Sequence, residues 1–180
     1  QPTPYMSLTN YTKSKSRRNG GIRTLGLIDR NEFATATYSS AEKGYSSVTL
    51  DEDCFFAKFE FREDEAEYKE EVLLSNGAWS VTHELRFTLD KMGNDCGPVI
   101  TTLTNASLNG MIALVVTNNG DTFLVGYSPE FGKERPLRLH AADGTTGRKL
   151  SDGTRETVVL RSEDVSKAIP LFDDPTKLFQ

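Results

Sequence analysis

Histidine and cysteine are scarce in this chain, and their scarcity removes whole classes of chemistry. There are two histidines, His83 and His140, and two cysteines, Cys54 and Cys96. Such a set offers no paired-ligand spacing for zinc. The cysteines lie 42 positions apart, a separation that signals no disulfide, so both read as buried thiols of a reducing compartment, with a disulfide as the alternative. No apolar run approaches the ~20 residues of a membrane-spanning helix. The opening residues lack the charged-then-apolar order of a signal segment. Asn10-Tyr-Thr and Asn105-Ala-Ser match glycan acceptors, but without that signal they carry little meaning. Positive charge is not in excess either: 21 Lys and Arg stand against 26 Asp and Glu, for a net −5 and a pI near 5.1. That balance argues against a wide basic face for gripping a nucleic-acid backbone.

The remaining motifs fail as chemical sites for stated reasons. His83 falls on the apolar face of a long alternating strand, where a satisfied core or interface histidine is expected. His140 sits on the polar side of a strand with no nucleophile at telling spacing. Asp51-Glu-Asp53 and Asp173-Asp174 lack the ligand-every-second-residue loop, with its glycine, that calcium requires. Gly144-Thr-Thr-Gly147-Arg-Lys149 has two residues between its glycines where a phosphate loop has four, and Leu150 follows the lysine. It also lies between strands instead of opening a helix. The acidic run Glu63-Asp-Glu-Ala-Glu67, with Glu70 and Glu71, reads as a solvated strand edge. No catalytic, cofactor or metal residue is assigned, and the chain reads as a non-enzyme.

What the sequence does have is strand patterning. Its 180 residues fit one domain with extended arms, at 22–172 between an arm at 1–21 and a tail at 173–180. Pro2 and Pro4 punctuate the arm, and Lys13, Lys15, Arg17 and Arg18 charge it. It reads either as a solvated linker or as an arm that orders on an acidic neighbour. Ile22 to Ile28 is a first strand. Asp29 to Ser47 is weakly patterned and has the look of a long loop, with room for a strand around Phe33 to Tyr38.

Phe55 to Arg62 alternates, with Phe55, Ala57, Phe59 and Phe61 on one face, as in a half-buried strand. Ala66 to Leu74 leads into Ser75-Asn-Gly77, a turn signal. Trp79, Val81, His83, Leu85, Phe87 and Leu89 then share one face of the best-patterned strand in the chain. Gly97-Pro98 opens a short helix at about 98–108, with Val99, Ile100 and Leu103 at helical spacing and Asn109-Gly110 as its stop. Met111 to Val116 and Thr122 to Val125 flank an Asn119-Gly120 turn. Pro136 to Ala141 and Thr157 to Arg161 read as strands around a polar loop, and Ile169 to Phe172 as a short edge strand. The sum is a mainly β, antiparallel chain, a sandwich or a barrel, with one short flanking helix.

From Trp79 to Phe172 the order is an alternating strand, a short helix, the Ile112-Ala-Leu-Val-Val hairpin through Asn119-Gly120, Phe123-Leu-Val-Gly126, the Thr146-Gly147 loop, Asp152-Gly153 and Thr157-Val-Val-Leu160. This order resembles small virion structural proteins of tailed phages that infect Bacteroides-type bacteria, including crAss-like phages, and among them tail-tube-like proteins. The resemblance implies a β-sandwich or barrel whose copies form rings, with inner strands joined into a continuous barrel and rings stacked. It implies no cofactor. Its partners would be copies of the chain, neighbouring virion proteins (tube, connector or tail hub) and DNA in passage. Its place would be the virion tail or head–tail junction, after assembly in the host cytoplasm.

The wall strands would then be Phe55 to Arg62 and Trp79 to Leu89, with Phe55, Phe59, Phe61, Trp79, Val81, Leu85 and Phe87 at contacts between copies. Their polar faces would line an acidic lumen in which DNA slides. Lys13, Arg17 and Arg18 of the arm, and the loop Ala34 to Ser47, would reach the next ring. Two other readings stand beside this one. A monomeric β-sandwich module for a protein or carbohydrate partner needs exposed aromatics, and Trp79 is the only tryptophan. An enzyme on a β-barrel needs His83 or His140 in a cleft with carboxylates.

Overall fold

A computed structural model describes residues 7–180. Its strands are β1 (Ile22–Asp29), β2 (Phe33–Ser39), β3 (Gly44–Leu50), β4 (Ala57–Lys58), β5 (Ala66–Ser75), β6 (Ala78–Leu89), β7 (Met111–Thr117), β8 (Thr122–Val125), β9 (Arg138–Thr145), β10 (Arg155–Asp164) and β11 (Ile169–Pro170). One α-helix, α1 (Cys96–Asn109), joins β6 to β7. Every pair of these strands is antiparallel. They form a five-stranded sheet in the order β11-β8-β7-β1-β4, a four-stranded sheet in the order β5-β6-β10-β9, and the β2–β3 hairpin. No sheet closes on itself, so the fold is a sandwich and not a barrel.

The five-stranded sheet is the middle layer. On one face Leu25, Leu27, Ala113 and Val115 meet Leu85, Phe87, Val158 and Leu160 of the four-stranded sheet, with Leu103 of α1. On the other face Ile28, Ile112, Leu114 and Leu124 meet Phe33, Tyr45, Phe56 and Leu178. Burial on both faces is why β7 reads as an unbroken apolar run, Met-Ile-Ala-Leu-Val, while β6 alternates. The turn between β5 and β6 is made by Asn76 and Gly77 at φ 51° and 79°. Positive φ at both positions suits the two-residue turn that Asn-Gly favours.

Two expectations need correction. The stretch with the look of a long loop is mostly the β2–β3 hairpin. It lies on one face of the middle sheet and buries little besides Phe33, Gly44 and Tyr45, so no strong alternation marks it.

Phe55 to Arg62 is not a wall strand, since only Ala57 and Lys58 pair, with β1. It is a crossing segment. The Phe56 N–H donates to the Leu178 carbonyl at 2.9 Å, that of Phe59 to Leu25 at 2.9 Å, and that of Arg62 to Thr88 at 2.9 Å. Its phenylalanines therefore divide between two cores: Phe56 packs near Phe179 (centroids 6.3 Å apart) and Phe59 near Phe87 (6.0 Å).

The tail at 173–180 packs back on the domain. Pro175–Leu178 form a 3-10 turn capped by the Asp174 side chain, which accepts from the Thr176 N–H, and Leu178 is buried.

Candidate functional site

The four-stranded sheet presents two edges, and they differ. β5 is ten residues long and pairs only with β6. At the other edge the start of β9 is held by α1: the Leu139 N–H donates to Ser107 Oγ at 2.8 Å, and Arg138 Nη1 donates to the carbonyls of Ser107 and Leu108 at 2.8 and 3.0 Å. The strands also end at different levels. One row across the sheet runs Arg138, Arg161, Glu84, Lys69. β9 thus begins at the level of Lys69, and Glu70 to Ser75 of β5 extend past it.

That extension is apolar and uncovered. Val72, Leu74 and Trp79 continue the inner, core-facing side of the sheet beyond the last buried residue, Val81, and Leu73 lies on the outer side. Leu74 is 73% exposed and Trp79 59%. Trp79 is fixed at its rim, where Nε1–H donates to the Val165 carbonyl at 3.1 Å. The sequence signal for this overhang is the Val-Leu-Leu run before the Asn-Gly turn, which alternation alone does not flag.

The outer face of the sheet is polar but not uniformly acidic. Glu67, Glu71, Glu84 and Glu163 interleave with Lys69, Arg86 and Arg161, and Arg161 pairs with Glu84 at 2.9 Å. The polar face of β6 thus carries both signs, Glu84 beside Arg86.

Of the ten residues expected between copies, five are exposed: Phe55, Trp79, Lys13, Arg17 and Arg18. Val81, Leu85 and Phe87 are fully buried in the chain's own first core, and Phe59 and Phe61 pack half-buried against it. Alternation marks a face that must be covered without saying by what. Here the cover is the middle sheet of the same chain.

The arm is fastened at its root. Asn119 Oδ1 accepts from the Asn19 N–H at 2.9 Å, and Asn119 Nδ2 donates to the Asn19 carbonyl at 2.7 Å. Asn118 Nδ2 donates to the Gly20 carbonyl at 2.7 Å, and Arg17 Nη2 donates to the Asn118 carbonyl at 2.5 Å. The turn between β7 and β8 is therefore a clasp. Beside it an open cleft of about 760 Å³ runs from Gly20–Ile22 to Glu65, Arg86 and Arg155.

Under the overhang lies a buried polar network. His83 is 4% exposed. Its Nε2 stands 3.0 Å from the Ser166 carbonyl, which can only accept, so Nε2 carries a proton. The Tyr68 hydroxyl stands 2.5 Å from Nδ1 and 2.9 Å from Glu70 Oε2. Glu70 also accepts from the Ala168 N–H at 3.0 Å and pairs with Lys167 at 3.4 Å. Burial pushes the His83 imidazole below its ordinary value, opposed by the Ser166 carbonyl and by Glu70. Burial, with the charge of Glu70, pushes the Tyr68 phenol up. His83 lines neither the cleft at the arm root nor the one beside Arg138. The network braces the connection from β10 to β11. His140 is exposed on β9.

The other sequence motifs are used locally. Asp152 Oδ2 accepts from the N–H groups of Arg148 and Lys149 at 3.1 and 2.9 Å, so the glycine-rich loop spends its donors on its own carboxylate. Asp173 pairs with Lys177 at 2.7 Å. Cys96 is a buried free thiol and Cys54 a half-buried one. Among the described residues no group of three His, Cys, Asp or Glu side chains is placed to hold a metal ion, and no helix is long and apolar enough to cross a membrane. Comparison with protein-family models, curated proteins and solved structures finds no match to this chain.

Proposed function

We propose that the chain is a non-enzymatic structural subunit of a tailed-phage virion that assembles with copies of itself into a ring or stacked tube through which DNA passes. The observation that carries this reading is β5, ten residues long at an open edge of a four-stranded antiparallel sheet. A long unpaired edge is a template for another chain. β9, at the far edge, runs opposite to β5. Copies placed side by side therefore bring β9 of one against β5 of the next with antiparallel polarity, a head-to-tail contact that closes into a ring. The mixed-charge outer face would then line the lumen and give DNA phosphates no continuous basic rail. Tail tube and head–tail connector are both positions such a ring can take, with neighbouring virion proteins at its ends.

Negative-stain microscopy and light scattering on the purified chain test this. Rings of uniform diameter are expected. A strict monomer at high concentration would sink the reading. A monomeric module for a protein partner is the second reading, and the exposed Leu74 and Trp79 favour it. Carbohydrate binding draws less support, because Trp79 stands at a hairpin tip and not in a cleft.

A further inference from the structure

The arm and the β5 edge carry matching chemistry in matching order. Residues 1–21 contain Lys13, Lys15, Arg17 and Arg18 and no Asp or Glu. With the whole chain at −5 and the arm at +4, the rest carries −9. Moving outward from its clasp at Asn118 and Asn119, the arm presents Arg17, Lys15 and Lys13, then Tyr11 and Leu8. Moving from its base, β5 presents Glu67 and Glu71, then Leu73, Leu74 and the turn beside Trp79. In extended chain alternate residues share a side. Tyr11, Lys13, Lys15 and Arg17 share one, as do Glu67, Glu71 and Leu73.

Both segments start at the same end of the molecule. The clasp and Gly20–Ile22 border the cleft that also holds Glu65 to Tyr68 at the foot of β5. Nine residues separate Arg17 from Leu8, a reach of ~30 Å when extended. The ten residues of β5 span a similar ~33 Å. The upper part of that edge, Glu70 to Ser75, lies above the level at which β9 of a neighbour begins, so pairing between copies at one level leaves it open. The chain's own arm does not occupy it: Leu8 and Tyr11 are 103% and 87% exposed.

We propose that this open upper edge of β5 is a docking site for the arm of a neighbouring copy in the ring. Tyr11 and Leu8 cover Leu73, Leu74 and Trp79, Lys13 lies beside Glu71, and Lys15 lies beside the exposed Glu67 side chain on the outer face just below that edge. The arm thus straps adjacent subunits together instead of reaching a further ring. This inference rests on the self-assembly proposed above.

Charge reversal tests it on the full chain. One protein carries Lys13→Glu and Lys15→Glu, the other Glu67→Lys and Glu71→Lys. All four positions are exposed, and far-ultraviolet circular dichroism checks that both proteins remain folded. In sedimentation velocity each reversed protein alone should need at least tenfold higher concentration for half-association than wild type. A one-to-one mixture should recover to within about threefold, because each arm then meets an edge of opposite sign. Tyr11→Ala, which removes only arm contact, should weaken association without any change in unfolding.

If both reversed proteins associate like wild type, the docking proposal is wrong and self-assembly stands. If the mixture does no better than its parts, the arm lies on its own sheet and the proposal is equally wrong. If wild type itself stays monomeric at every concentration, the self-assembly reading fails first and this inference falls with it.

Discussion

His83 and Glu70 compete for one proton, that of the Tyr68 hydroxyl, whose oxygen lies 2.5 Å from Nδ1 and 2.9 Å from Glu70 Oε2. With the ring neutral and its proton on Nε2, Nδ1 and Glu70 Oε2 are both acceptors, and the one hydroxyl proton serves one of them at a time. A second proton on His83 would turn Nδ1 into a donor and release the hydroxyl to Glu70. Burial opposes that second proton and holds the folded-state pKa below 6.5.

A pH dependence of stability follows from this. Below pH 6.5 the unfolded histidine takes up a proton that the folded one refuses. The unfolded state then binds more protons, and stability falls as pH drops, until the folded-state value is reached. Above pH ~7 the group contributes no slope. Other carboxylates titrate in acid as well, so the informative quantity is the difference between proteins. His83→Gln should flatten that part of the curve, read from urea midpoints between pH ~7.5 and ~5.

The two ends of the apolar inventory should respond differently to truncation. Leu114 is fully buried on the middle sheet, and Leu114→Ala should cost about 2–5 kcal/mol. Leu74→Ala removes an exposed side chain and should stay within about 0.5 kcal/mol. Urea unfolding of the two variants measures both.

Gly126 separates torsion from packing. It has φ 95°, and a Cβ there would sit 2.9 Å from the Met111 carbonyl oxygen and 3.2 Å from the Leu137 nitrogen. Both are backbone atoms of the Met111–Leu137 bridge, which two hydrogen bonds of 2.8 Å hold, and cannot swing away. Gly126→Ala should cost about 1–3 kcal/mol. Gly77, at φ 79° with open space around it, bears the torsional cost alone, and Gly77→Ala should cost about 1 kcal/mol. Thermal unfolding ranks the pair.

Asn119→Ala removes both hydrogen bonds to Asn19. Because they are exposed, the midpoint of unfolding should hardly move. Tryptic cleavage at Arg17 and Arg18 should nevertheless become severalfold faster, since the root of the arm is then held only through Asn118.

Local chemistry was the most legible layer of the sequence. Asn76-Gly77 marks its turn because few other residues accept positive φ at both positions, and Gly120, at φ 90°, marks the other. The six alternating residues of β6 mark a strand because one of its faces is buried. Gly110, at φ 103°, ends α1 by returning its N–H to the Ala106 carbonyl. Legibility failed where one pattern has two physical origins. Phe55 to Arg62 alternates because the segment crosses between two cores, not because it lies along one. Val81, Leu85 and Phe87 had to be covered, but alternation does not distinguish a neighbouring copy from the chain's own middle sheet. The Asn119-Gly120 signal gave the turn and was silent about its clasp on the arm, since that depends on residues a hundred positions away.

The middle sheet also sets a timetable. Its central pairing joins β1 to β7, with Ile22 against Thr117, and nearly half of the described chain, from 30 to 110, lies between them. Hairpins β2–β3, β5–β6 and β7–β8 close over short loops and can form early, whereas β1 must wait for a distant partner. For that interval both faces of β7 are open to solvent, and the chain is at its stickiest before its core is closed. Association that begins only after this last pairing is in place would keep productive contacts apart from aggregation.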